Sequence, residues 1–275
     1  DSMSPADWDV WVGPAQWVDY HPLYHPFKWR GWWNFGTGAL GDIGCHTIDS
    51  AFRILGLSYP TEVECSVGAV FIKDWTPEYI PEGCPPSSHV EIKFPATKKN
   101  KSAVKMIWMD GGIRPMHPDL IPANTPISDD GGANGIILTG TKGIMTIGMY
   151  GNNPKIYLNN GDVIDTPKLA NEVKLPEYGH QISWTNACKA GFESKEHKEL
   201  SSSFDYSGPL TETVLMGNLA IRSYMLRKKN EKGGFDFYGR NKLLWNGEDM
   251  KITNFDDANQ FVGRTYREGW KLVDA

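Results

Sequence analysis

Gly36-Thr37-Gly38-Ala39-Leu40-Gly41-Asp42-Ile43-Gly44-Cys45-His46 is the stretch on which the fold turns. Its first six residues match the dinucleotide fingerprint G-x-G-x-x-G letter for letter. A genuine fingerprint follows an apolar strand and opens a βαβ unit. The segment before this one, Phe27-Lys28-Trp29-Arg30-Gly31-Trp32-Trp33-Asn34-Phe35, is too bulky and irregular for a buried parallel strand. Asp42, one residue past the last glycine, would repel a pyrophosphate. The motif therefore reads as the start of a helix, not as a phosphate cradle.

Outward from the motif, residues 37–57 carry a helical pattern, with Leu40, Ile43, Thr47, Ala51 and Ile54 on one stripe. A second stripe holds Asp42, His46, Asp49 and Arg53. Gly56 and Pro60 punctuate its end. Upstream, residues 1–36 have neither a helical nor an alternating period and hold six tryptophans (Trp8, Trp11, Trp17, Trp29, Trp32 and Trp33). They are expected to form an ordered loop pinned by aromatic contacts. Downstream, residues 61–160 read as at least six strands: Thr61–Ile72, His89–Phe94, Ala103–Met109, Gly135–Leu138, Gly143–Ile147 and Lys155–Leu158. Strands that follow one another through turns such as Asn159-Asn160-Gly161-Asp162 imply a largely antiparallel sheet. Helices return over residues 180–270, as His180–Ala190 and Pro209–Arg227. The expected fold is α+β: a large, open, mostly antiparallel sheet with helices on one face, within one domain spanning 1–275.

Composition narrows the function. The chain has 275 residues and a formal net charge of −5, which argues against a nucleic-acid surface. No apolar run approaches the roughly 18 residues that span a bilayer. The four cysteines, Cys45, Cys65, Cys84 and Cys188, form no C-x-x-C pair and read as reduced thiols. A cytoplasmic location is the expectation, with an upstream export signal left open. His21 and His25 suggest a metal pair, which with Asp42 and His46 would make a hydrolytic zinc site. Pro22 and Pro26 prevent a regular helix from presenting both imidazoles on one face, so no metal is expected.

Asp42 and His46, one helical turn apart, suit removal of a hydroxyl proton, since histidine titrates near neutral pH. Taken in the first turn of the helix, Asp42 would sit where the positive helix end favours a carboxylate. The alternative is that Asp42 caps the helix and His46 is a satisfied core histidine. Sugars stack on indole and take planar donors from arginine, so Arg30, Trp33, Tyr24 and His25 are expected to line a substrate wall. His180, at the start of a helix, is a further candidate for that wall.

The motif with its Asp-x-x-x-His pair, and Trp29-Arg30 upstream, resembles the glucose–fructose oxidoreductase / inositol dehydrogenase / rhizopine-catabolism family. His25-Pro26-Phe27-Lys28-Trp29-Arg30-Gly31-Trp32-Trp33, Gly179-His180, Phe204-Asp205-Tyr206-Ser207-Gly208-Pro209-Leu210-Thr211-Glu212 and Asn259-Gln260 resemble a subgroup common in polysaccharide-degrading bacteria. The resemblance implies that Asp42 and His46 flank the carbon being oxidised, with Trp29 and Arg30 near the cofactor. Such enzymes carry an N-terminal Rossmann domain ending in a Glu-Lys-Pro motif, and neither is found in this sequence. The chain is accordingly expected to be the C-terminal, substrate-binding domain, inactive alone, with NAD or NADP held mainly by the other domain. The implied activity is hydride transfer from a CH–OH group of a sugar, cyclitol or sugar derivative. Two alternatives remain: a glycosidase that oxidises its sugar transiently through NAD, and a non-catalytic carbohydrate-binding or assembly module. The sheet is expected to pair copies into a homodimer or homotetramer. A monomer by light scattering of the full-length protein would contradict that pairing.

Overall fold

The computed structural model describes residues 3–127, 134–165 and 179–271. Positions 1–2 and 128–133, within the expected 1–36 and 61–160 segments, lie outside them. The chain groups into two compact units. The first comprises Asp1–Cys45, Leu57–Pro115 and Glu212–Ala275, and the second His46–Gly56 and Met116–Thr211.

The first unit begins with a helix that the sequence reading missed. Helix α1 spans Pro5–Val12, in a segment expected to be loop throughout. Six tryptophans hide any clean periodicity there, but the start signal is plain. Ser4 caps the helix by accepting a hydrogen bond from Asp7 N–H, and proline occupies a first-turn position, where its missing N–H costs nothing. Trp8 and Val12 of α1 form, with Ala15, a buried cluster against which Trp11, Val18, Tyr20, Tyr24 and Phe35 pack. Trp8 stacks on Trp11 at 4.8 Å and donates its indole N–H to the Val18 carbonyl at 2.9 Å. Arg267, near the other end of the described chain, locks this corner. Its guanidinium reaches the Asp9 carboxylate at 2.6 Å and the Gly13 carbonyl at 2.9 Å.

Helix α2 (Gly38–Leu55) runs from the first unit into the second. Its buried positions are Gly38, Leu40, Gly44, Ile48, Ala51 and Phe52. Ile54, placed on the inner stripe by spacing, is 43% exposed. The stripe follows the true 3.6-residue pitch through Ile48 and Phe52 instead.

Every named strand pair is antiparallel, as the succession of strands and turns predicts. Strands β1 (Glu62–Val67), β4 (Ser88–Phe94) and β5 (Val104–Met109) join β12 (Leu243–Asn246) and β13 (Lys251–Ile252) in a five-stranded sheet, ordered β13-β12-β1-β4-β5. Strands β2 (Val70–Lys73) and β3 (Thr76–Glu78) form a separate ribbon, as do β10 (Arg227–Lys229) and β11 (Phe235–Phe237). On the inner face of the large sheet, Val63, Val90, Ile92, Phe94 and Leu243 are all but completely buried. Helix α5 (Phe204–Tyr224) covers part of it. A side chain at Gly217 would collide with Leu40 of α2 and lie 3.5 Å from Val90 of β4, so glycine is what lets helix, helix and strand converge.

The opposite face of the large sheet carries half-exposed and exposed side chains. It is a ladder of opposed charges: Glu62 with Lys93 at 2.8 Å, Glu91 with Lys105 at 3.2 Å, and Glu64 with Lys242 at 3.3 Å. Cross-strand pairs of this kind satisfy a solvated face without a second layer.

In the second unit, β6 (Ile136–Gly140), β7 (Gly143–Ile147), β8 (Lys155–Leu158) and β9 (Val163–Asp165) form a four-stranded meander. Ile121, Ile127 and Tyr157 make its core, with Ile137 and Ile144 against them. Helices α3 (Gly179–Ala190) and α4 (Lys195–Lys198) follow. The residues read as one 61–160 sheet are thus divided among separate sheets.

Candidate active site at the start of helix α2

A 3₁₀ turn over Lys28–Gly31 delivers Arg30 to the new helix. Arg30 Nε donates to Asp42 Oδ1 at 3.1 Å, and its Nη1 donates to the Phe27 carbonyl at 3.2 Å. The guanidinium lies 4.3 Å above the Phe27 ring and 4.5 Å above that of Trp29. Arg30 is thereby held on three sides, which lowers the entropy cost of presenting it to Asp42. Both partners keep a third or more of their side-chain surface, so the bridge positions more than it stabilises.

The structure corrects one step of the sequence argument. The helix begins at Gly38, so Asp42 is its fifth residue and falls beyond the first turn. It neither caps the helix nor draws much on the helix dipole, which fades within that turn. Arg30 supplies the positive neighbour instead. His46 lies one turn further along α2, within the second unit. It is exposed, with its ring 5.5 Å from that of Tyr150 in an edge-on arrangement. Asp42 is exposed as well. Neither side chain is sealed in a core, so both are within reach of a solute.

The other expected wall residues scatter. Tyr24 sits edge-on to Trp32 at 5.2 Å and to Phe35 at 5.3 Å, as part of the packing around Trp8. His25 meets the edge of Trp11 at 5.9 Å. Trp29 is the shelf beneath Arg30. Trp33 is half-buried, and its indole N–H has no hydrogen-bond partner. His180 is exposed at the second position of α3, in the second unit. Arg30, Trp29 and Asp42 are brought together; Tyr24 and His25 belong to the aromatic cluster.

Several further residues escaped the sequence reading. Tyr206 donates its hydroxyl to the Asp49 carboxylate, and Arg53 lies 4.1 Å over the same ring. Burial, then the Asp49 carboxylate, pushes the Tyr206 hydroxyl up to about 12. Glu212 accepts from the Trp245 indole at 2.7 Å, and Asn259 Nδ2 donates to the Ile252 carbonyl at 2.9 Å. Much of the Phe204–Glu212 and Asn259-Gln260 signature therefore braces the fold. Arg222, inside the apolar run Leu219-Ala220-Ile221, carried a readable signal: a charge that helical spacing turns toward buried neighbours.

The glycines of the motif are occupied by the chain itself. A Cβ on Gly36 would lie 2.5 Å from the Arg30 Cα and carbonyl oxygen, and one on Gly38 would lie 2.9 Å from Cys84 Sγ. A Cβ on Gly41 would strike the Thr37 side chain. Their role is close internal packing, and no strand leads into them. These residues do not fit a dinucleotide, and no cofactor chemistry can be routed through them.

A family model described as the oxidoreductase family's C-terminal α/β domain matches residues 3–72. That stretch includes the Trp-rich segment, Arg30, the glycine motif, Asp42 and His46. Residues 3–72 are similar to this family's C-terminal domain. The match agrees with the resemblance carried by the motif and covers about a quarter of the chain. No curated protein matches the chain. Among the described residues, no three His, Cys, Asp or Glu side chains gather to hold a metal ion. No described helix is long and apolar enough to cross a membrane.

The cysteines of the domain divide into two kinds. Cys45 and Cys188 are exposed. Burial pushes the Cys65 and Cys84 thiols up to about 12, with Glu64 and Asp110 adding to the rise. A thiol with that value is ionised to only about one part in ten thousand at pH 8, and the thiolate is the nucleophile. Iodoacetamide at pH 8 should therefore alkylate Cys45 and Cys188 and spare Cys65 and Cys84 until denaturant is added. Mass mapping of the labelled peptides checks this, and equal labelling of all four would refute it.

Proposed function

We propose that this chain is the substrate-binding and catalytic domain of an NAD(P)-dependent oxidoreductase. Its substrate is a CH–OH group of a sugar, cyclitol or sugar derivative. The observation that carries the reading is an exposed Asp42, fixed by Arg30, with an exposed His46 one turn further along the same helix. A ring nitrogen of His46 takes the proton of the substrate hydroxyl as the carbon is oxidised. Asp42, held by Arg30, orients the imidazole or the hydroxyl. Trp29 and Arg30 together present an aromatic face and a planar donor beside Asp42, features that suit a pyranose. The nicotinamide supplies the hydride acceptor and is assigned to a domain outside this chain.

The test is a full-length preparation mixed with NAD or NADP and a panel of hexoses, amino sugars, uronic acids and inositols. Accumulation of reduced cofactor with at least one of them is expected. Aglycone release from a glycoside without net reduction would replace the dehydrogenase by the glycosidase. Ligand binding that survives Asp42→Ala and His46→Ala, with no turnover of any kind, would leave only a binding module.

A further inference from the structure

In the first unit, one turn of α5 carries an unusual set of polar side chains. Asn218 is 5% exposed, and neither its amide nitrogen nor its oxygen has a hydrogen-bond partner. One turn later, Arg222 is half-buried over the ring of Phe261 at 4.4 Å and 5.8 Å from that of Trp33. The buried indole N–H of Trp33 is likewise unpartnered. Among the described residues, Arg222 has no carboxylate within ion-pair distance. The charge that bears most on it is a second cation, Arg264, whose guanidinium donates to the carbonyl of Asn34, next to Trp33. Burial first, and then Arg264, pulls the Arg222 guanidinium below its ordinary value. A buried polar group without a partner is destabilising, and a charged one more so, so such groups mark where a partner is expected.

We infer that Arg222 and Arg264 form a seat for the carboxylate of an acidic sugar, which makes hexuronates the substrate class of the proposed reaction. Two neighbouring guanidinium forks with no acid between them match a planar carboxylate, which takes parallel N–H···O bonds. Asn218 offers a donor and an acceptor together, the complement of a sugar hydroxyl, and Trp33 adds a donor. The seat adjoins the reacting end of α2. The Asn218 amide nitrogen lies 3.4 Å from where a Gly41 side chain would begin, and Gly41 directly precedes Asp42. Cys84, which feels the Arg222 charge, donates weakly to the Arg30 carbonyl at 3.9 Å, linking the seat to the Arg30–Asp42 pair.

The inference rests on the oxidoreductase reading for its role but is tested by binding alone. Calorimetry on the full-length protein compares D-glucuronate and D-galacturonate with D-glucose, D-galactose and inorganic phosphate. The expected result is a hexuronate held at least about tenfold more tightly than its parent hexose. Arg222→Gln should abolish that preference, and Arg222→Lys should restore only part of it, since the fork is lost. Arg264→Gln, at an exposed position, should weaken hexuronate binding without threatening the fold, and carries the test if Arg222→Gln does not fold. Equal affinity for acid and parent sugar overturns the inference. So does phosphate that binds as tightly as hexuronate with the same arginine dependence. Hexuronate that binds through Arg222 but is never oxidised would keep the seat and discard the oxidoreductase. Neutral hexoses oxidised through His46, with no preference for the acid, would do the reverse.

Discussion

If the proposed reaction is the one catalysed, His46→Ala in the full-length protein should slow the oxidation of a sugar about 10²–10⁴-fold, the usual loss when a positioned proton acceptor is removed. The fall should appear in kcat, while KM and the affinity for the sugar change little. His46 is exposed and touches mainly the ring of Tyr150, so its removal should leave the fold intact. Added imidazole should return part of the lost rate, a response that a purely structural histidine would not give. Asp42→Asn should cost less, because the amide still occupies the place beside Arg30 and loses only the charge-assisted part of that contact. A His46→Ala enzyme with kcat within about threefold of the parent would discard the proposed chemistry.

The largest expected loss of stability lies at Trp8→Ala, at about 3–5 kcal/mol. Trp8 is 3% exposed, stacks on Trp11, meets Tyr20 edge-on at 5.1 Å and donates to the Val18 carbonyl. Truncation leaves a cavity walled by rigid rings, which cannot collapse as an aliphatic core does, and strands the Val18 carbonyl. In a chain of this size the melting temperature should fall by roughly 10 °C. Trp75→Ala is the control: Trp75 is 94% exposed, and a surface change of this kind should stay within about 0.5 kcal/mol. Scanning calorimetry on the two variants decides. Similar melting temperatures would mean that the aromatic cluster does not hold this corner together.

The legible parts of the fold were those encoded by local period. His89–Phe94 alternates in sequence, and the strand alternates buried and half-buried residues throughout. Helix α2 was placed within two residues at its C-terminal end and one at its start. The grouping of strands was not legible, because it rests on pairings between distant segments. Val63 pairs with Leu243 across most of the chain, and no local rule links those two runs. Helix α1 was lost because its eight residues span barely two turns and show no clear apolar stripe, although Ser4-Pro5 marked its start. At the candidate site, Asp42 and His46 came from spacing on one helix, and Arg30 from a motif twelve residues upstream. Arg222, Arg264 and Asn218 did not, since only the packing of α5 and of the segment after Phe261 brings them near Trp33 and Asn34. Tyr24 packs partly buried against the cluster around Trp8, a contact that residue type and spacing do not reveal.

The Arg267 clamp carries a consequence for how the molecule is assembled. The contact joins residues 258 apart. Closing a loop of that size is entropically costly, and contacts of such separation slow folding. During synthesis, Asp9 leaves the ribosome 258 residues ahead of the arginine that clamps it. Through that interval the indoles around Trp8 lack their final latch, and this is the period in which a chaperone would be needed most.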